Sequence, residues 1–343
     1  MRPYLRPLSF LYDQIVGVKN SLYDRGVIEA YKAPIPVISI GNLTVGGTGK
    51  TPLTDFCLKY LVQAGRKVAV VSRSYRADAQ APCWVDVSHP FGARYYGDEP
   101  LLLAQANPEV AVFVGSTKWR TAEYAVRKEK YDVVIVDDGF QHRKLQRDLN
   151  IVILDATEDM ANYEVVPEGR ARESWAGLER ADLIVLTKCN LADEANLKAL
   201  EAKLPKNKEV LYFGYDIRKF WNQKQSEFKS REELQGKKLF LVSAIARPDV
   251  FEKMMREIGE VSKKSLHFRD HHQYTENDAR QIVEEFEKSQ CDYLITTEKD
   301  AVKLRPLMPK TPTLWSASLE VAELGKKGRL YEVISEILSS AHR

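Results

Sequence analysis

The sequence predicts an α/β protein: a mostly parallel sheet domain, a second, smaller α/β domain, and an N-terminal amphipathic helix. Three observations carry this. Short apolar, β-branched runs alternate with stretches of helical period from residue 36 to residue 186, the pattern of parallel strands joined by crossover helices. A glycine-rich segment at 41–52 falls between one such strand run and one such helix run. Between 205 and 238 Lys and Arg become dense and apolar residues thin out, before strand and helix patterns resume. The expected partition is an amphipathic helix at 1–34, a sheet domain at 35–210 and a smaller domain at 211–343.

The elements follow in order. At 8–32, Leu8, Leu11, Ile15, Val18 and Leu22 recur at steps of three and four, a helical stripe. Arg2, Arg6, Lys19, Arg25 and Lys32 flank it, with aromatics Tyr4, Phe10, Tyr12 and Tyr23. Such a segment suits a membrane interface or a helix packed on the protein's own core, and the pattern alone leaves both open. The run 36–40, Pro-Val-Ile-Ser-Ile, reads as a strand, and Leu53, Phe56, Cys57, Tyr60 and Leu61 give the next stretch a helical period. Further strands are expected at 67–71, 110–114, 131–136, 149–154 and 183–186, with helices at 101–106 and 117–130. The stretch 77–96, with Pro82, Pro90 and Gly92, is irregular. Past the junction, strands are expected at 238–242, 293–297 and 313–315, and helices at 250–258 and 276–289.

Composition sets the outer bounds. The chain has 343 residues, 44% hydrophobic and 29% charged, ordinary for a globular protein of about two domains. A net charge of +3 is too small to point to nucleic acid. Four scattered cysteines, Cys57, Cys83, Cys189 and Cys291, form no metal-binding spacing and read as reduced thiols. No apolar run approaches the roughly 18 residues of a membrane span. Pro3, Pro7 and Asp13 interrupt the N-terminus, which argues against a cleaved signal peptide. The chain is therefore expected on the cytosolic side of whatever it meets, with no obligate protein partner evident.

The chemistry gathers at strand ends. Residues 41–52 read Gly-Asn-Leu-Thr-Val-Gly-Gly-Thr-Gly-Lys-Thr-Pro. A glycine loop between strand and helix crowds backbone N–H groups round an anion, and the helix N-terminus adds a favourable dipole. Val45, Gly46, Gly47, Thr48, Gly49, Lys50, Thr51 and Pro52 are thus the candidate phosphate-binding (P-loop) residues. Lys50 would reach the outer phosphates and the Thr51 hydroxyl would ligate Mg²⁺. Pro52 suits a first helical turn. The loop departs from the usual spacing, since Thr44 stands where the first glycine is expected.

Asp137 and Asp138 end a strand with an apolar lead-in, the placement of a Walker-B carboxylate on Mg²⁺. Asp98-Glu99 precedes Pro100, which keeps Glu99 extended. An acid there can take the proton from an acceptor hydroxyl, or simply favour a helix N-terminus. In Asp270-His271-His272 a histidine can orient a carboxylate base, although a surface loop reads the same way. Thr187-Lys188-Cys189-Asn190 stands where GTPases carry a guanine-reading acid; Asn190 in its place favours ATP. Arg172 is a candidate phosphate clamp or a solvated arginine. Thr297-Glu-Lys-Asp300 is a polar strand end and a possible helix start.

Together these segments resemble one family closely, tetraacyldisaccharide 4′-kinase, the lipid A 4′-kinase of Gram-negative bacteria. The matching pieces are Val45-Gly-Gly-Thr-Gly-Lys-Thr-Pro52, Ser72-Arg-Ser-Tyr-Arg76, Gly97-Asp-Glu-Pro100, Asp137-Asp-Gly-Phe-Gln-His-Arg143, Phe268-Arg-Asp-His271 and Thr297-Glu-Lys-Asp-Ala-Val302. The resemblance implies transfer of the ATP γ-phosphate, with Mg²⁺, to the 4′-hydroxyl of a tetraacylated glucosamine disaccharide 1-phosphate. It implies a P-loop NTPase-like domain joined by a short strand linker to a smaller α/β domain, with the active site in the cleft between. It also implies Asp98 as general base paired with His271 from the other domain, so that closure completes the site. Lys50 serves the phosphates, Thr51 the metal and phosphates, Glu99, Asp137 and Asp138 lie near them, and Arg172 stands by the reacting groups. A substrate with four acyl chains stays in the bilayer, which favours the N-terminal stripe as a peripheral anchor on the cytoplasmic face of the inner membrane. The family commonly has Gly where Ser74 stands, and the 167–172 loop is looser than its usual form. Two other functions compete: a P-loop kinase of a small soluble metabolite, which has no need of the stripe, and a non-kinase nucleotide-dependent switch or chaperone NTPase, which has no need of an acceptor base.

Overall fold

The structure, a computed structural model, describes residues 3–74, 77–222, 224 and 226–340. Arg2 of the basic flank and Tyr75 and Arg76 of the 72–76 segment lie outside the described residues. The chain forms two compact units that interleave along the sequence. The first holds 1–86, 103–215 and 321–343; the second holds 87–102 and 216–320. This differs in two places from the expected linear partition: the loop carrying Asp98 belongs to the second unit, and the C-terminal segment to the first.

In the first unit a 3₁₀ turn, Pro3–Leu5, leads into α1 (Arg6–Asp24). There follow β1 (Val37–Asn42), α2 (Lys50–Gln63), β2 (Val68–Arg73) and β3 (Cys83–Trp84). A short helix, α3 (Gly92–Tyr96), lies in the second unit, and α4 (Asp98–Ala106) begins there and ends in the first. The chain continues through β4 (Ala111–Gly115), α5 (Lys118–Lys128), β5 (Val133–Asp137), β6 (Leu149–Asp155), β7 (Leu183–Thr187), α6 (Glu194–Glu201) and β8 (Glu209–Asn222). The sheet runs β8-β7-β6-β1-β5-β2-β4-β3, parallel except that β3 pairs antiparallel with β4. β1, β5 and β7 are buried at every position, as expected of parallel strands covered on both faces. One apolar cluster packs Ala122 and Ala125 of α5 on Val37, Val71, Val134 and Val136. Another gathers Phe140, Leu178 and Leu200 with Val152, Leu154, Ile184 and Leu186.

The second unit takes the end of β8 from Asp216 and adds β9 (Phe228–Ser230), β10 (Lys238–Ser243), α7 (Pro248–Arg256), β11 (Glu260–Val261), β12 (Leu266–His267), α8 (Glu276–Ser289), β13 (Tyr293–Thr297), α9 (Glu298–Leu304) and β14 (Leu314–Leu324), whose last residues from Val321 belong to the first unit. Its strands run β11-β10-β13-β14, all in parallel, and β12 also pairs with β10. Thr275 and Asp278 form a reciprocal capping box on α8, and Thr297 accepts from the Asp300 amide to start α9; both satisfy otherwise orphaned amides. α10 (Arg329–Ser340) returns to the first unit, where Tyr331 stacks on Tyr60 and Phe56 of α2.

Two expectations change. The N-terminal helix stops at Asp24 rather than continuing to 32, because Arg25–Gly26 closes it by turning back on the Ser21 and Tyr23 carbonyls. The polar stretch at 205–238 holds a fourteen-residue strand, β8, hidden from composition because its residues beyond Tyr215 carry Asp216, Arg218 and Lys219. The strand expected at 313–315 likewise extends to Leu324.

The apolar stripe of α1 faces outward. Leu8, Phe10, Leu11, Ile15 and Val18 are exposed, Phe10 by 69%. What docks the helix on the first unit is polar: buried Ser9 accepts from the Glu168 amide at 3.0 Å, Asp13 accepts from the Ser174 amide at 3.1 Å, and Arg143 donates to the Asn20 carbonyl at 2.8 Å. This reverses the usual orientation of a surface helix. Among the described residues no helix is long and apolar enough to cross a membrane.

Gly41 makes the nucleotide-loop side of the sheet possible. A Cβ there would stand 2.6 Å from the Phe140 Cβ and 2.7 Å from its main-chain nitrogen, and main chain cannot step aside as a flexible side chain can. Gly41→Ala is expected to lower unfolding free energy by about 1–3 kcal/mol, read by urea denaturation; an unchanged midpoint would contradict this packing.

Candidate active site

The first unit builds the phosphate side. β1 delivers the loop and β5 delivers the acids, with Ile40 opposite Asp137 in parallel register. Ligands of parallel sheets bind beyond the carboxyl ends of the strands, and both motifs emerge there. Gly46 and Gly49 take positive φ, 114° and 89°, and Gly49 caps α2 with Pro52 in its first turn. Buried Asn42 organises the loop: its Nδ2 donates to the Thr44 carbonyl at 2.7 Å and to Thr48 Oγ1 at 2.8 Å, and its Oδ1 accepts from Lys50 Nζ at 3.3 Å. Thr44, in the place of the usual glycine, bridges to Ala171, and the Arg172 and Val45 amides join the two segments through Leu43 and Arg170 carbonyls at 2.8 Å each. The 165–173 segment is therefore the wall of the loop.

Asp138 sits at φ 52° and collects cations. Arg172 Nη1 donates to both its oxygens, at 2.9 and 3.0 Å, and also to Gln141. Lys50 Nζ lies 3.6 Å away. Burial opposes the charge of Asp138, but Lys50, Lys118 and Arg172 outweigh it and hold its carboxyl well below the usual range. Asp137 is buried and accepts from Ser72 Oγ at 3.2 Å. Beneath the acids, fully buried Lys118 donates to the carbonyls of Asp137 and Asp138, and burial pushes its ammonium down to about 8. Burial also pushes His142 down to about 3, so its imidazole is neutral at pH 7.

Two ionisable carboxylates beside a threonine-bearing phosphate loop are hard-oxygen donors suited to Mg²⁺, which keeps several waters and takes one or two carboxylates plus phosphates. No cluster of three metal-ligating acids, histidines or cysteines occurs among the described residues, and this mode of binding needs none. The donor set fits the ion.

The second unit carries its own cluster of ionisable side chains round Asp98. Asp98, the first residue of α4, is buried, and its Oδ2 lies 3.1 Å from His271 Nδ1. α9 adds two cations: Lys303 Nζ stands 3.5 Å from Asp98, and Lys299 Nζ lies 3.0 Å from Glu99 and 3.2 Å from His271 Nε2. An ammonium can only donate, so Nε2 accepts from it and the ring proton sits on Nδ1, facing Asp98. Burial works against the Asp98 charge, but the His271 hydrogen bond and the nearby Lys299, His271 and Lys303 charges prevail and lower its pKa strongly. The Asp98 hydrogen bond in turn raises His271 above its ordinary value, against burial and Lys299.

Here one expectation is corrected. Asp98 and His271 lie within the same unit, so the pair is assembled without any closure: the 87–102 loop leaves the first unit's stretch of sequence to pack with residues 216–320. Glu99, expected near the metal and phosphates, accepts from Lys299 Nζ at 3.0 Å. The Asn190 amide binds the main-chain carbonyl and amide of Tyr215 through its Nδ2 and Oδ1, at 2.9 Å each. Lys118, Asn42, Lys299 and Lys303 are site residues that the motifs do not single out. Asn42 lies within the glycine-loop run and Lys299 within Thr297-Glu-Lys-Asp300, whereas Lys118 and Lys303 fall outside the quoted motifs.

The match to known proteins spans the chain. A family model described as tetraacyldisaccharide-1-P 4′-kinase (LpxK) matches residues 1–339. A tetraacyldisaccharide 4′-kinase of Bdellovibrio bacteriovorus is 74% identical over 338 residues, covering 98% of this chain and 100% of the relative. One from Chlorobium luteolum is 37% identical, covering 99% and 97%. Among solved structures, LpxK from Aquifex aeolicus, described as an "apo" form in complex with ATP, superimposes with a TM-score of 0.78 at 28% identity, covering 98% of this chain and 99% of that one.

The Asp98–His271 pair makes a pH prediction. Asp98, lowered from 3.8, contributes stability above that value and loses it as pH falls through its folded pKa; His271, raised from 6.5, contributes below that value and loses it as pH rises through its folded pKa. Both contributions are complete between 3.8 and 6.5. The melting-temperature difference between wild type and His271→Gln should be largest in that window and shrink at higher pH. A difference constant from about pH 5 to about pH 9 would exclude an ionic pair.

Proposed function

Because the chain belongs to the tetraacyldisaccharide-1-P 4′-kinase family, it is an ATP- and Mg²⁺-dependent kinase of the lipid A disaccharide, and we propose that its residues divide the reaction as follows. The triphosphate lies on residues 45–51, where loop amides and the N-terminus of α2 face anionic oxygens. Lys50 exchanges its contacts with Asn42 and Asp138 for the outer phosphates, and Arg172 does the same from Asp138. Thr51, Asp137 and Asp138 would hold Mg²⁺, which would offset charge on the phosphates. Asp98 accepts the proton of the 4′-hydroxyl as that oxygen bonds to the γ-phosphorus and the bond from phosphorus to the ADP oxygen breaks. His271 aims the carboxylate through its Nδ1–H.

The cations round Asp98 make it a weak base, and a weak base suffices. A loose transition state leaves little need to deprotonate the incoming oxygen early, so the carboxylate chiefly positions the hydroxyl and receives the proton late. The single observation that carries this reading is the partly buried Asp98–His271 hydrogen bond. A nucleotide switch has no acceptor to deprotonate and no need of such a pair.

The outward stripe of α1 supports attachment at a membrane. A kinase of a small soluble metabolite gains nothing by exposing Leu8, Phe10, Leu11, Ile15 and Val18 together, whereas an acceptor anchored by acyl chains is met at the interface. With Arg6 and Lys19 alongside, the helix lies in the headgroup plane of the cytoplasmic leaflet as a reversible, peripheral anchor.

Asp98→Ala is expected to lower kcat by about 10²–10⁴-fold in an assay of lipid phosphorylation in detergent, with ATP consumed only when the disaccharide is present; acceptor-independent turnover would refute the assignment. A doubly charged helix, Ile15→Asp with Val18→Asp, should lose co-sedimentation with anionic phospholipid vesicles while retaining activity on detergent-solubilised acceptor. Vesicle binding equal to wild type would refute the anchor.

A further inference from the structure

Three consecutive carbonyls of the nucleotide loop are each held by a side chain from outside it. Lys188 Nζ donates to the Gly47 carbonyl at 3.1 Å, Thr187 Oγ1 to that of Thr48 at 2.9 Å, and Tyr215 Oη to that of Gly49 at 3.0 Å. The donors come from the end of β7 and from its neighbour β8.

Each donor is itself fixed. Lys188 pairs with the buried carboxylate of Asp155. Thr187 is fully buried and also lies 3.4 Å from the Leu154 carbonyl. Tyr215 is buried, and the Asn190 side chain grips both polar groups of its main chain. Left-handed Gly49 closes the fit, because a Cβ at that position would lie 2.0 Å from Tyr215 Oη. The tyrosine occupies space that only a glycine leaves.

The consequence follows from peptide geometry. In a planar trans peptide the carbonyl and the next residue's N–H point to opposite sides. Holding the carbonyls of 47, 48 and 49 toward β7 and β8 sends the N–H groups of Thr48, Gly49 and Lys50 the other way. The Thr48 amide closes a tight turn on the Gly46 carbonyl at 3.1 Å; those of Gly49 and Lys50 open the N-terminus of α2. Successive amides sharing a direction make an anion nest, while a carbonyl swung among them would repel a phosphate.

We propose that Thr187, Lys188 and Tyr215 are positioning residues that preorganise the loop for the triphosphate without touching it, and that Asn190 serves them by anchoring Tyr215. The segment Thr187–Asn190, placed where other nucleotide proteins read the base, is here a brace. The proposal rests on residues 45–52 being the nucleotide loop. A loop that visits its binding-competent form only part of the time binds more weakly by that fraction, so loss of a brace acts on nucleotide affinity and not on the chemical step.

The test uses Tyr215→Phe and Thr187→Val, which remove one hydroxyl each at nearly constant shape, with Thr187→Ser as the variant that keeps it. Lys188 is left intact, since its loss would strand the Asp155 charge in the interior. Full-length protein is titrated calorimetrically with the Mg²⁺ complex of a non-hydrolysable ATP analogue, and kcat and both KM values are measured alongside. Expected are dissociation constants about three- to tenfold weaker for Tyr215→Phe and Thr187→Val, a parallel rise in the KM for ATP, and an unchanged kcat and lipid KM. Thr187→Ser should stay within about twofold of wild type. If both hydroxyl-lacking variants bind the analogue like wild type, whether or not their melting temperature falls, the hydroxyls serve the fold alone and the proposal is overturned. Absence of analogue binding by wild type would instead overturn the nucleotide-loop reading beneath it.

Discussion

The parallel pairing of β1 with β5, with Ile40 opposite Asp137, is the constraint on which the phosphate half of this protein depends. It brings a glycine loop and a pair of acids to the same end of adjacent strands. Once they are neighbours, Gly41 must lack a side chain so that Phe140 can close over it. Asp138 must turn into the left-handed region to face Lys50 and Arg172. Lys118 then spans the carbonyls of both acids from below, a position in which its charge is offset by carboxylates it does not directly neutralise.

Each unit keeps its charges paired within itself. In the first, Lys50 and Arg172 gather on Asp138; in the second, His271, Lys299 and Lys303 gather on Asp98 and Glu99. Buried ions need partners, because desolvation otherwise costs several kcal/mol per ion. The arrangement also sets the chemistry. Cations held by a carboxylate can be exchanged to a phosphate without first being drawn out of bulk water, and neighbouring cations hold the Asp98 and Asp138 carboxyls below the usual carboxylate range.

α1 follows a different rule. It is tied to the first unit through Ser9, Asp13, Asn20 and Asp24, while its apolar residues face away. Polar docking fixes the rotation of the helix about its axis, and so fixes which side the exposed stripe presents. The same helix packed on its own core would need the opposite rotation, and the stripe's period cannot distinguish the two.

The sequence by itself determined the sheet-and-helix alternation, the phosphate loop with its lysine and threonine, the acids after β5, and the kinase family, because each rests on local order: a period, a glycine spacing, a short run of residue types. What only the tertiary structure decided is contact between distant segments. Residues 87–102 pack with 216–320, so Asp98 and His271 already share a unit; Asn190 binds the main chain of Tyr215; β8 continues through a polar stretch that composition assigned to a junction. The physical reason is common to all three. A side chain's role is set by the partner that satisfies it when it is buried, and a partner up to 173 positions away leaves no mark on local pattern.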